Sequence, residues 1–228
     1  MKLLDRKLLN TALLATVPVM AGYMVLGAAY GMILKTHGYG VGWALAMSLF
    51  IYAGSMQYVA IDMLTGGASA AAAAVTALMV NARHLFYGIS MVDKYKSAGR
   101  EKPYLIFALT DETYSLVCRG APEGVGERGY YLLVSVLDQV YWVLGSVLGS
   151  ALGAVLHFNT EGIDFALTAL FVTVFVEQWK SSSRHLPALI GVGASLACLL
   201  LFGADSFLIP AMLLITTLLL LSRKKEAV

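Results

Sequence analysis

Charged residues are scarce in this chain. They make up 13% of 228 residues, while 59% are hydrophobic and mean hydropathy is +0.75. Soluble domains carry about 25% charged residues, so this supply cannot coat a water-facing surface. The composition excludes an ordinary soluble domain and points to one polytopic membrane domain. A net charge of +2 gives no case for nucleic acid. Cysteine is nearly missing. Cys118 and Cys198 have no metal-ligand spacing and no disulfide framework, and read as small packing hydrophobes. Catalytic signatures are missing too: there is no Gly-x-Ser-x-Gly elbow and no His-Glu-x-x-His motif. The chain therefore reads as a non-enzyme, although Ser55 and His84 are the pair an intramembrane hydrolase would need. No residue pattern requires a cofactor or a metal.

Long apolar runs are what the chain has in quantity. A helix crosses a bilayer in about 20 residues, and spans are expected at 9–34, 41–63, 68–91, 130–156, 164–179, 186–203 and 206–221. The fold class that follows is all-α, a polytopic integral membrane protein of about seven transmembrane helices, with six to eight compatible. Residues 1–14 imitate a signal peptide, but the apolar run continues past Pro18, Gly22 and Gly27 to Leu34. It reads as an uncleaved first span, broken or kinked near Pro18. Residues 103–117 are apolar but short, and carry Asp111 and Glu112. A half-helix, an interfacial helix and a tilted crossing all stay open for them.

A weak internal repeat adds organisation. Gly27 and Gly31 match Gly149 and Gly153, an offset of 122 residues, and Gly40-Val41-Gly42-Trp43-Ala44-Leu45 matches Gly162-Ile163-Asp164-Phe165-Ala166-Leu167. One residue of slippage later, Ser55-Met56-Gln57-Tyr58 faces Glu177-Gln178-Trp179. The single transport domain, residues 1–228, then divides into a first repeat (9–91), a connecting segment with a polar half-helix (92–129), and a second repeat plus last helix (130–221). Three-helix repeats with broken helices are the usual skeleton of secondary transporters, and an odd span count would set the repeats in inverted topology. The basic clusters resist seven plain spans. Lys2/Arg6/Lys7 and Lys94/Lys96/Arg100/Lys102 should share one side by the positive-inside rule, yet three crossings would separate them. Either an early segment is re-entrant, or 103–117 crosses, or the rule fails locally.

The polar residues inside apolar runs are the functional candidates. Asn81-Ala82-Arg83-His84 interrupts the third span, where an arginine costs about 2.5–3.5 kcal/mol on insertion scales. Snorkelling to the basic loop would take Arg83 across about eight residues, roughly 12 Å, which is far for one side chain. A polar partner or substrate is the better reading. On a helix Asn81, His84 and Gly88 share a face, with Tyr87 one turn beyond Arg83 and His84; His84 is either a proton relay or a satisfied interhelical histidine. Gly54-Ser55-Met56-Gln57 reads equally as a helix break with a site and as a packing seam with one amide bond. Glu177 and Gln178 are its repeat-related polar pair. Asp111 and Glu112 sit about 100° apart on a helix, so one pairs with Arg83 and the other faces water or opens a helix; an N-terminal cap at the membrane surface is the plainer alternative. Asp138 is either an aqueous-cavity carboxylate or interfacial, within an aromatic belt of Tyr130, Tyr131 and Trp142.

Three motifs, Ala53-Gly54-Ser55-Met56-Gln57-Tyr58, Val80-Asn81-Ala82-Arg83-His84-Leu85-Phe86-Tyr87 and Thr110-Asp111-Glu112-Thr113-Tyr114, resemble in order and spacing the large subunit of the AzlC-like branched-chain amino-acid exporters. Met56, Tyr58 and Ala82 depart from the family's usual residues without touching a polar group. The resemblance implies a bacterial inner-membrane exporter of branched-chain or similar neutral amino acids, drawing on the proton motive force, with a small hydrophobic AzlD-type second subunit. A zwitterionic substrate fits the residues. Arg83, Asn81 or a half-helix N-terminus would serve its carboxylate; Asp111, Glu112 or Gln57 would face its ammonium. Ser55, Gln57, Asn81, Arg83 and Tyr87 are the expected binding residues, and His84, Asp111, Glu112 and Asp138 the candidates for proton coupling or ion pairing. The expected mechanism is alternating access, with a passive channel as the alternative that uphill, uncoupler-sensitive efflux would exclude.

Overall fold

A computed structural model describes residues 6–153, single helical residues at 172, 175, 176, 179 and 180, and residues 185–203 and 207–226. The chain divides into two compact units, Met1–Leu167 and Thr168–Val228. Among the described residues every regular element is helical. The first unit holds α1 (Arg6–Thr36), α2 (Val41–Phe50), α3 (Gly54–Thr65), α4 (Ala70–Asn81), α5 (Arg83–Met91), a 3-10 helix (Lys94–Glu101), α6 (Lys102–Phe107), α7 (Asp111–Val117) and α8 (Glu127–Leu152). The second holds α9 (Leu186–Phe202) and α10 (Leu208–Glu226), packed on each other, with Ala194 and Cys198 buried. Glu177 and Gln178, and the matched stretch 162–167, lie outside the described residues.

Among the described residues, α1 and α8 are the two helices long and apolar enough to cross a membrane. Pro18 sits inside α1 without ending it. The two helices cross on small residues, which let backbones approach where lipid offers no hydrophobic drive between helices. Leu8 lies against Gly129, the Tyr23 carbonyl against Gly145, Ala28 against Gly149 and Met32 against Gly153. Between them, Thr16 Oγ1 is 3.3 Å from the Tyr141 hydroxyl. Residue numbers rise together along both helices, so they run parallel, in a register close to the repeat offset. Inverted repeats would set these equivalent helices antiparallel, so the expectation of inverted topology is corrected here.

The reason lies in the segments between them. The expected span 41–63 is not one crossing. From the C-terminal end of α1, marked by the Tyr39–Trp43 ring pair, α2 rises until Tyr30 donates to Met47 Sδ (3.2 Å) and Gln139 donates to the Leu49 carbonyl (3.3 Å). The chain turns at residues 51–53, with Tyr52 in the left-handed region (φ 43°), a conformation costing a non-glycine residue about 1–3 kcal/mol. Then α3 starts with Gly54 against the Trp142 ring and heads back, Tyr58 donating to the Leu26 carbonyl (2.8 Å). The pair α2–α3 is a re-entrant hairpin. Residues 103–117 make a second one from the other end: α6 climbs from Lys102 to Phe107, whose ring meets Tyr52 at 6.2 Å, and α7 descends from Asp111 to Val117. Residues 103–117, for which three readings stayed open, form two short helices joined by a turn. The span 68–91 crosses as two helices broken at Ala82. Between α1 and α8 the α4–α5 pair is the segment that runs the length of the unit, which is why α8 repeats the direction of α1.

The hairpins also settle the conflict among the cations. Lys7 reaches Gly124, Lys94 lies near Gly120, and Arg128 grips Glu101, so the clusters at 6–7, 94–102 and 119–128 gather at one end of the unit. There Leu8, Ala12, Met91, Tyr95, Leu105, Val117, Tyr130 and Val134 bury a common core. Tyr130, Tyr131 and Trp142 are 3%, 1% and 3% exposed, so they form no aromatic belt, and that expectation is corrected: their rings pack the bundle interior. Arg128 donates to Glu101 from Nε (2.6 Å) and Nη2 (2.7 Å). These hydrogen bonds outweigh desolvation and, with Arg128's charge, hold the Glu101 carboxyl below the usual carboxylate value. A lowered value means the pair stabilises the fold above the ordinary carboxylate range and stops doing so as pH falls through it. Glu101→Gln should therefore melt slightly earlier than the parent at neutral pH, with the two melting curves converging in acid. Curves that stay apart at low pH would show the pair is not the source.

Candidate functional site

Three helix starts meet in the middle of the first unit, because both hairpins turn there and the α4–α5 crossing breaks there. The local sequence sets each break. Ala53 and Gly54 open α3 after the left-handed Tyr52. Thr110 caps α7, its Oγ1 accepting from the Thr113 amide (3.2 Å), with Asp111 and Glu112 in the first turn. The sequence suggests a cap made by the carboxylates at the membrane surface; the cap is Thr110, set inside the bundle, with the carboxylates directly after it. The breaks turn backbone N–H groups and partial positive charge toward the centre.

Arg83 opens α5 and joins all three starts. Its Nη2 lies 2.9 Å from Ser55 Oγ, in the first turn of α3, and 3.2 Å from Asp111 Oδ2, in the first turn of α7. The side chains of Arg83 and Asp111 are 30% and 20% exposed; the pair is reachable, so a ligand can compete for it. It does not snorkel. Tyr87, one turn along α5, stacks on Tyr114 of α7 at 4.6 Å, and Ser90 donates to the Tyr114 hydroxyl (3.1 Å). Asn81 Oδ1 and Asp111 Oδ1 are buried and have no hydrogen-bond partner among the described residues. Such atoms are costly unless something donates to them.

The other candidates fall into separate clusters. Glu112 accepts from Tyr23 of α1 (2.7 Å), whose hydroxyl is 2.7 Å from Thr110 Oγ1. Thr110 donates to Thr113 (3.1 Å), and Thr113 donates to Asp138 Oδ2 (2.7 Å). Asp138 is fully buried on α8, neither interfacial nor part of a belt. Gln57 is also fully buried: it accepts from the Trp142 indole (2.8 Å) and donates to Ser48 (3.2 Å), tying both arms of the first hairpin to α8. Gln57→Leu leaves that indole N–H without its acceptor, at about 1–3 kcal/mol. The variant should melt several degrees lower in detergent; an unchanged melt would show the bond is dispensable. His84 turns away from Arg83, its Nδ1 3.1 Å from the Asn81 carbonyl. With Asn81, Gly88, Tyr95 and Leu109 it lines an apolar cavity of about 570 Å³ between α4–α5 and α6. The expected shared face of Asn81, His84 and Gly88 is thus the face of this cavity.

Sequence reasoning missed Tyr23, Thr110, Thr113 and Trp142 as members of the polar centre. The threonines carried a signal, since Thr110 and Thr113 flank the two carboxylates. Tyr23 carried none, being one of twelve tyrosines in an unbroken apolar helix.

A helical bundle with two re-entrant hairpins and a reachable ion pair where they meet defines an integral membrane protein with a polar centre. The comparisons with known proteins give the family. A family model described as "AzlC protein" matches residues 18–156, from within α1 to beyond the end of α8, and the chain belongs to that family. It is 45% identical over 210 residues to the branched-chain amino acid transport protein AzlC of Bacillus subtilis, covering 92% of this chain and 83% of the relative. An uncharacterized membrane protein of Helicobacter pylori is 42% identical over 92% of both chains. The inner membrane protein YgaZ of Escherichia coli is 25% identical over 87% of this chain and 82% of its own. No solved structure matches.

Proposed function

We propose that the chain is a secondary transporter that exports branched-chain or similar neutral amino acids by alternating access, coupled to protons. It acts in the bacterial inner membrane, as the large subunit of a two-component permease with a small AzlD-type partner. The observation that carries this reading is the Arg83–Asp111 pair at 3.2 Å, held between the first turns of α3, α5 and α7. A zwitterion offers what each member of that pair now takes from the other: its carboxylate goes to Arg83 and Ser55, its ammonium to Asp111. Substrate then exchanges one ion pair for two, and the hairpins tied together by the pair separate. Asn81 Oδ1 supplies a further acceptor, and Tyr87 closes one side. The substrate class in the name of the Bacillus subtilis relative agrees with this chemistry. The clustered cations support a cytoplasmic location for the N-terminus and the 94–128 end.

The test is efflux of radiolabelled leucine from loaded cells, with and without the chain, co-expressing the small membrane subunit. Export above background that collapses with an uncoupler is expected. Efflux that runs only downhill and ignores the uncoupler would mean a channel.

A further inference from the structure

The contacts from Glu112 to Asp138 form an unbroken chain: Glu112 to Tyr23 at 2.7 Å, Tyr23 to Thr110 at 2.7 Å, Thr110 to Thr113 at 3.1 Å, and Thr113 to Asp138 at 2.7 Å. These are four contacts, and each needs one proton to be a hydrogen bond. A hydroxyl carries one proton and an ionised carboxylate none. Tyr23, Thr110 and Thr113 therefore supply three. If Tyr23 donates to Glu112, Thr110 to Thr113 and Thr113 to Asp138, the Tyr23–Thr110 contact has two lone pairs facing each other at 2.7 Å. The chain is complete only with a fourth proton, and the carboxyl groups at its ends are where that proton has a place.

We infer that Glu112 and Asp138 hold one proton between them, and that Tyr23, Thr110 and Thr113 pass it from one to the other. When it moves inward, the O–H bond of Glu112 breaks as Tyr23 accepts its proton. Tyr23's own proton goes to Thr110, that of Thr110 to Thr113, and that of Thr113 to Asp138. Each hydroxyl gains one proton and loses one, and the net result is one proton moved from α7 to α8. The return step reverses every donor. Thr110 remains the helix cap in both states, because its second lone pair still accepts the Thr113 amide. Asp138 is fully buried and Glu112 only partly so, which makes Glu112 the end that trades protons with water or substrate. The groups facing the pair are Asp111 on α7, Arg83 on α5, Tyr52 at the tip of the first hairpin, Tyr104 on α6 and Tyr130 on α8. The relay's use as a coupling device rests on the transporter reading, while its existence does not.

The experiment is infrared spectroscopy of the full-length protein in lipid at neutral pH, following the C=O band of a protonated carboxylic acid as H₂O is replaced by D₂O. The parent is expected to show one such band. It should vanish in the double variant Glu112→Gln/Asp138→Asn. The share of the band that belongs to Asp138, identified by its loss in Asp138→Asn, should exchange at least about tenfold more slowly in Thr113→Val, which removes the middle of the relay, and recover in Thr113→Ser. Tyr23→Phe cuts the chain at a second point and should slow it likewise. A parent without the band, a band that survives the double variant, or exchange at the parent's rate in both Thr113→Val and Tyr23→Phe would each overturn the relay. None of these readings needs transport, so a failed efflux assay and a failed relay are separable.

Discussion

Arg83→Ala should slow leucine export severely while leaving the protein in the membrane at its normal amount. The guanidinium ties two helix starts together, donating a hydrogen bond to Ser55 at 2.9 Å and forming an ion pair with Asp111 at 3.2 Å. In the proposed cycle it then turns the same donors to the substrate carboxylate. Hydrogen bonds to charged groups are worth about 1.5–3 kcal/mol, so losing them from the transporting state slows export roughly ten- to hundredfold. The fold should tolerate the change, because both side chains are part-exposed and the freed Asp111 can be hydrated. Arg83→Lys keeps the charge but loses the guanidinium's planar set of donors for a substrate carboxylate, so it should fall between parent and alanine. The check is efflux per amount of protein, measured by immunoblot of the membrane fraction. Normal efflux from Arg83→Ala at normal levels would remove the pair from the mechanism.

Gly149→Ala should damage folding itself. A methyl group on Gly149 would sit 2.0 Å from the Ala28 carbonyl oxygen and 2.4 Å from its Cα. Both are backbone atoms of α1, so no rotamer change relieves the clash and the helices must separate. Gly31→Ala meets the same obstacle from the other side, 2.0 Å from the Ser146 carbonyl oxygen. Overpacking costs about 1–3 kcal/mol where neighbours can shift, and backbone that cannot puts these two at or above the top of that range. At about 2–4 °C per kcal/mol, Gly149→Ala should lower the melting temperature by on the order of 5–10 °C. Gly42→Ala meets nothing within 4 Å and serves as the control. A Gly149→Ala protein that elutes and melts like the parent would mean that α1 and α8 do not approach so closely.

Several of these features were legible in the residues. An arginine in an apolar run needs a partner, and the acidic pair at 111–112 was the available one; the distance from Arg83 to Asp111 answers that need. Gly54-Ser55 allowed a helix break as readily as a packing seam, and the shortness of 103–117 already argued against a comfortable crossing. The first hairpin was not legible. Residues 41–63 have the length and hydropathy of one span, and the turn at 51–53 is made by Ile, Tyr and Ala, whose composition signals nothing. Its tip is held by tertiary partners, Gln139 on the Leu49 carbonyl and Phe107 on Tyr52. The inverted repeat failed for the same reason, since counting spans by hydropathy counts a hairpin as a crossing. The aromatic belt failed because Tyr130, Tyr131 and Trp142 have partners inside the bundle that no local pattern encodes.

The order in which this chain leaves the ribosome gives the hairpins a history. The tips of both are assembled before α8 exists, and the groups that satisfy them, Asp138, Gln139 and Trp142, come out last. Neither α2–α3 nor α6–α7 has a helix long enough to be threaded across on its own, and their unpaired backbone ends are costly in lipid. Newly made chains must therefore keep both tips at the surface or sheltered by the insertion machinery until residue 142 is released. A chain stopped before that point has two turns with unpaired backbone groups and nowhere to bury them, and should be recognised by membrane proteases as unfinished.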